Sequence, residues 1–152
     1  MFTAEQEKLI QRETERLQGA DEAALDALNE DSVLRRTAWF NEHRAGFGFL
    51  AGDPLEAGYR LLLARFGITP EQAPVIERTE RRIVFHSQNF CPTLEACRRL
   101  GLDTRLVCKL LNERATDSLV KLINPRLTFS RNYEQLRPYA PYCDETITLE
   151  DE

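Results

Sequence analysis

An α+β fold, with N-terminal helices packed on a small antiparallel sheet that frames a central helical segment, is what this sequence predicts. Three observations lead there. Apolar residues recur at helical spacing from Leu9 through Phe66. Short runs with two-residue alternation come later, at 75–78, 81–86, 127–131 and 143–149. Between those runs, the stretch from Pro92 to Ile123 returns to helical spacing. Helices first and strands later suit α+β rather than an alternating α/β chain.

The 152 residues are read as a single domain, with a helical part over 1–70 and a cysteine-containing α+β part over 71–152. The 42% hydrophobic and 30% charged content excludes a disordered or fibrous chain. No apolar run approaches the roughly 20 residues that a bilayer requires, and MFTAEQEKLIQRE lacks the apolar core of a signal peptide. The expectation is a cytoplasmic protein with no membrane partner and reduced cysteines. Net charge is −5, which argues against general nucleic-acid affinity. Residues 92–142, however, carry nine basic and five acidic side chains, a local excess that favours a small anionic ligand.

Taken in order, Thr3 to Leu17 reads as a helix with Leu9, Ile10 and Leu17 on one face, closed by Gly19. Asp21 to Arg44 restarts the pattern through Leu25, Leu28, Val33 and Leu34. Narrow stripes of this kind suit packing on a sheet or on a second subunit, so a homo-oligomer is a candidate state. Gly46, Gly48 and Gly52 form a hinge rather than a phosphate loop, because no strand precedes them. Asp53-Pro54 opens a helix through Leu55, Tyr59, Leu62, Leu63 and Phe66, and Gly67 ends it. A strand pair follows at Val75 to Arg78 and Arg81 to His86. A helical run at Thr116 to Ile123 stops at Asn124-Pro125. The strand Leu127 to Arg131, a Pro- and Tyr-rich loop at 133–142 and a last strand from Cys143 to Leu149 complete the chain.

The chemistry-bearing residues cluster between Arg81 and Asn112. Cys91 immediately precedes Pro92, the first position of a helix, where the dipole lowers a thiol pKa. Cys91, Cys108 and Cys143 sit at element edges, whereas Cys97 shares a helical face with Leu94 and Leu100 and belongs to the core. The three edge thiols therefore form a candidate catalytic set, with His86 to move a proton and Asp144 to polarise its ring or hold a water. Thiolates and imidazole are also zinc or iron ligands, but wide spacing and the lack of any C-x-x-C weaken that reading of Cys91, Cys108, Cys143 and His86. Arg131 alternates with Phe129 and Leu127, so its fork is the candidate carboxylate anchor, with Phe129 beside it; the competing account is a structural ion pair with an internal acid such as Asp144 or Glu145.

Two further classes stay open. One is a non-catalytic ligand- or metal-binding sensor that uses the same cysteines. The other is a helix-turn-helix: TLEACRRLGLDTRLVCKLLN carries Cys97, Gly101 in the turn, Leu102, Val107 and Leu110 inward, and Arg105 and Lys109 outward. That template fits any tight two-helix corner, and the acidic chain speaks against DNA.

From His86 onward the pattern resembles the L-2-amino-thiazoline-4-carboxylic acid hydrolase-like family. The matched features are Cys91 opening a helix, a Gly turn to a helix bearing Val107-Cys108, the L-x-F-x-R run Leu127, Phe129, Arg131, and the pair Cys143-Asp144 before the last strand. Where the family pattern has a Gly before the Cys-Asp pair, this chain has RPYAPYCD. The resemblance implies hydrolysis of a C=N or amide-like bond in a small heterocyclic acid without a cofactor. It also implies a pocket lined by the cysteines and Arg131.

Overall fold

The computed structural model describes residues 1–151. Helix α1, Ala4–Leu17, begins at Thr3, whose hydroxyl accepts from the Gln6 amide while the Gln6 side chain accepts from the Thr3 amide. This reciprocal pair satisfies two donors that a helix start otherwise leaves free. Helix α2, Glu22–His43, is capped by Asp21. Helix α3, Pro54–Phe66, is capped by Asp53 and ends at Gly67 with φ 64°, a left-handed position where glycine carries no steric cost. The glycines between α2 and α3 lie in or beside two short 3₁₀ turns.

The face of α2 differs from the one its apolar spacing predicts. Leu34 is 71% exposed, while Leu25, Asn29, Ser32, Arg36 and Phe40 are buried. The reason is polar: Arg36 reaches across to donate to the Thr116 hydroxyl at 2.9 Å, and this contact turns a row of polar residues inward.

Four strands, β1 (Val75–Arg78), β2 (Arg82–Ser87), β3 (Leu127–Arg131) and β4 (Cys143–Leu149), form one antiparallel sheet in the order β1-β2-β4-β3. The fold is α+β. Strand β2 runs one residue later at each end than its alternation predicts, so Ser87 joins the ladder opposite Cys143. The inner face of the sheet supplies Ile83, Phe85, Leu127, Phe129 and Ile147 to a core completed by α3 and by Leu119 and Val120.

Between β2 and β3 the chain is helical in pieces. Helix α4, Pro92–Leu100, turns at Gly101 (φ 69°) into the short α5, Thr104–Val107. That helix continues as a π-helical stretch, Cys108–Glu113, and then as α6, Arg114–Lys121. The helical run expected at 116–123 thus begins twelve residues sooner, at Thr104, because the wider π turn carries it through. At the corner, Arg105 donates twice to Asp103 and lies 4.2 Å from the Tyr139 ring centre. A second cluster joins Leu17, Leu25, Ala96, Cys97, Val107 and Leu111. Among the described residues, no helix is long and apolar enough to cross a membrane.

Helix α3 passes close over β4 at Gly58, where an added Cβ would lie 3.3 Å from the Ile147 Cδ1 atom. A larger side chain there crowds the Ile147 and Leu127 side chains, which must shift to admit it. Gly58→Val is expected to lower unfolding free energy by about 1–3 kcal/mol in urea titration, with the m-value unchanged.

Candidate functional site

Strand alternation decides which side chains can meet. In the β2–β4 ladder, Phe85 pairs with Glu145, His86 with Asp144 and Ser87 with Cys143. Phe85, Ser87 and Glu145 are buried on the inner face, with Cys143 on the same side of its strand. His86 and Asp144 occupy the outer face. The inner face, the C-terminal half of α3, the approach to α4 and the π-helical stretch enclose a cavity of about 100 Å³. That is below the ~300–1,000 Å³ of drug-sized sites, so it suits a ligand of few heavy atoms.

Cys91, Cys108 and Cys143 all line this cavity, along with Arg131. Cys97 does not; it is 1% exposed in the second cluster. The π turn contributes Cys108 and Asn112, and Thr116 follows on the same wall. All four cysteines are free thiols.

Arg131 is the most heavily engaged residue of the site. Its Nη2 lies 3.1 Å from Glu145 Oε2 and donates to Asn112 Oδ1 at 2.6 Å, while its backbone amide donates to Glu113 Oε1 at 2.9 Å. Its guanidinium sits 4.8 Å from the Phe129 ring centre. Burial, the largest single influence, works against the charge, but the Glu145 carboxylate together with the other ionisable groups around it overcomes that, and the guanidinium pKa lies above its ordinary value. Glu145 in turn accepts from the Ser87 hydroxyl. Among the described residues, Nη1 of Arg131 is buried with no hydrogen-bond partner. One arm of the fork is structural, and the Tyr133 hydroxyl, likewise buried and unpartnered, lies near the guanidinium.

The thiols are set differently from the expectation for Cys91. Its sulfur does cap α4, accepting from the Leu94 amide at 3.4 Å. Yet burial raises its pKa, and neither that bond nor Arg137 restores it. Desolvation of the sulfur outweighs the helix dipole. Burial likewise raises Cys108, against the pull of Arg131, and pushes Cys97 up to about 12. Cys143 has a cation beside it: Arg137 Nε donates to its sulfur at 3.3 Å, and Arg137 Nη1 donates to the Asn89 carbonyl at 2.6 Å.

His86 and Asp144 do not reach the thiols. The His86 ring stacks on Tyr142 with centroids 3.8 Å apart and 4° between planes, and its Nε2 is 3.5 Å from Asp144 Oδ1. The pair forms, but with the sheet between it and the cavity. The proton-shuttle role expected of His86, and the role of Asp144 within the same catalytic set, are corrected accordingly. Ile83 and Phe85 point inward, and a residue one step on must point outward. Phe129 is also corrected: it is 2% exposed in the core beneath the Arg131 guanidinium, and the cavity wall does not include it. Among the described residues no three His, Cys, Asp or Glu side chains are grouped as metal ligands, and His86 faces away from the cysteines it was expected to join.

Ser87, Asn112 and Arg137 were missed from sequence, whereas Glu145 is one of the two acids weighed there as an ion-pair partner of Arg131, and it is the one that pairs. Glu145 had a readable signal, since it follows Cys143 by two on one strand. Arg137 sits in an irregular loop and Asn112 in a π turn, neither of which has a sequence period to read. No family model matches the chain, and no curated protein or solved structure matches it either.

The raised thiols have a sign that pH can test. A thiol held protonated in the fold stabilises it fully below the ordinary thiol range near ~8.5. Above that, the unfolded chain ionises first, and the stability is lost as pH climbs toward the folded values. Unfolding free energy is therefore expected to fall between about pH 8.5 and 10, by up to ~1.4 kcal/mol per pH unit for each buried thiol. Cys97→Ala should make that slope shallower.

Proposed function

We propose that the protein binds a small carboxylate-bearing compound in the cysteine-lined cavity. The observation that carries this reading is the unpartnered Nη1 of Arg131 in a cavity wall otherwise rich in thiols. A buried guanidinium nitrogen without an acceptor is costly, and a carboxylate oxygen relieves it with a charge-assisted bond. The carboxylate would lie on Arg131, with the body of the ligand toward Cys143. Arg131 pairs with Glu145 across the β3–β4 ladder, and Cys143 is two residues from Glu145 on the same face, about 7 Å along the strand. That interval is the span of a small ring bearing one carboxylate.

A hydrolase reading has its own supporting observation, the Arg137–Cys143 contact. A guanidinium donating to sulfur is the setting in which a cysteine serves as nucleophile. In this reading the Cys143 sulfur attacks the carbon of an amide-like C–N bond, the thiol proton passes to the nitrogen, which leaves as an amine, and water then cleaves the thioester and returns a proton to the sulfur; a C=N bond enters the same sequence after adding water across it. Cys91 and Cys108 act as the apolar wall. This activity matches what the resemblance implies, and it needs no cofactor.

Calorimetry with 2-thiazoline-4-carboxylate is the direct test. Arg131→Lys keeps the charge and loses the second arm, so affinity is expected to fall by about 1–3 kcal/mol while circular dichroism stays native. Unchanged affinity would remove Arg131 as the anchor. If turnover of an amino-thiazoline acid is detected, Cys143→Ser should abolish it and Cys91→Ser should leave a measurable rate; the reverse result overturns the assignment of the nucleophile.

A further inference from the structure

A second cleft, of about 460 Å³, lies on the other side of Cys91 and Asn112, between α1, α2, α3 and the start of α4. Five arginines line it: Arg12 and Arg16 from α1, Arg35 and Arg36 from α2, and Arg65 from α3. Among the described residues, the only carboxylate in its wall is Glu13, already bound by Arg16 and by the Thr93 hydroxyl. Arg35 pairs with Asp31 at 2.9 Å.

Among the described residues, Arg36 and Arg65 have no such partner. Arg36 is 8% exposed, and the hydrogen bond that it makes goes to a neutral acceptor, Thr116 Oγ1. Its guanidinium lies 5.1 Å from the Phe66 ring centre. Arg65 has its Nε buried with no acceptor, and its guanidinium lies 5.5 Å from Trp39 and 5.8 Å from Phe66. Aromatic faces offset part of the desolvation of a cation but do not neutralise it. Burial first, then Arg65 and Arg131, pull the Arg36 pKa down to about 9, so the residue is still charged at neutral pH. The arrangement lacks an anion.

A carboxylate fills one guanidinium fork. Two forks from different helices call for an anion with more oxygens and more charge, and a phosphoryl group has both. Leu9, Phe90 and Leu111 line the same cleft and give an apolar body a surface to rest on. We propose that this cleft binds a small phosphate monoester, its phosphoryl group held by Arg36 and Arg65, with Arg12 at the mouth and its apolar body against Phe66 and Phe90. The proposal rests on neither Arg131 nor the thiols, so it stands or falls apart from the reading of the smaller cavity.

Calorimetry on the full chain, with phenyl phosphate and inorganic phosphate at matched ionic strength, tests it. Phenyl phosphate is expected to bind, and inorganic phosphate to bind at least tenfold more weakly. Equal affinity overturns the apolar-body assignment, and no binding beyond that of chloride overturns the site. Arg65→Gln should weaken phenyl phosphate at least tenfold, and Lys109→Gln, an exposed residue outside the cleft, should not. Arg36→Met removes the buried charge together with its hydrogen bond to Thr116, two changes of opposite sign, so its unfolding midpoint should stay within a few degrees of the parent while ligand binding is lost. A lowered midpoint with unchanged affinity marks a structural arginine and overturns the role of Arg36. Should that variant fail to fold, unchanged affinity in Arg65→Gln overturns the proposal by itself.

Discussion

Arg131 and Glu145 face each other across the β3–β4 ladder, both side chains about nine-tenths buried, with 3.1 Å between Nη2 and Oε2. Around this pair the rest of the site is hung. Glu145 holds Ser87 on β2, Arg131 holds Asn112 on the π turn, and Glu113 closes on the Arg131 backbone. Three strands and one helix are thereby tied at a point of low dielectric, where a satisfied network rigidifies and a broken one is costly. Removing either partner of such a pair leaves an uncompensated charge worth ~3–5 kcal/mol of destabilisation. The cavity keeps its shape because this pair cannot easily open.

The same low dielectric constrains the chemistry. It keeps Cys91 and Cys108 as neutral thiols although one caps a helix and the other lies near Arg131. Cys143 differs from them in having a cation in direct contact, the Arg137 Nε that donates to its sulfur. The arginine-lined cleft shows the opposite imbalance, positive groups in excess of acceptors. Two adjoining cavities therefore differ in polar character, one lined by thiols around an ion pair that leaves one guanidinium nitrogen without a partner, and one lined by arginines in excess of carboxylates.

Much of this architecture was legible in the chain. Two-residue alternation located all four strands, Pro and Gly positions bracketed α3 and α4, and the helical phase of Cys97 separated it from the other thiols. The alternation that located β2 also implied that His86 points away from Phe85, so the outward placement of His86 and Asp144 was contained in the pattern and overlooked. Arg36 was not legible. A hydrophobic stripe reports where apolar residues go, and it is silent about an arginine that α2 buries against Phe66 and Thr116. The raised pKa of Cys91 was equally hidden, because a helix start is visible in sequence and the depth of a sulfur is not.

The π turn at Cys108–Glu113 also resolves a problem of phase. Val107 and Leu111 belong to the cluster with Leu17, Leu25 and Cys97, while Leu119 and Val120 belong to the sheet core. These two cores lie around one continuous helical rod in different directions. An uninterrupted α-helix advances about 100° per residue and keeps a single stripe on a single side. One widened turn holds an extra residue and shifts everything beyond it by roughly that angle. The rod behaves like a screw with a dislocated thread, gripping one core with its first part and the other with its second.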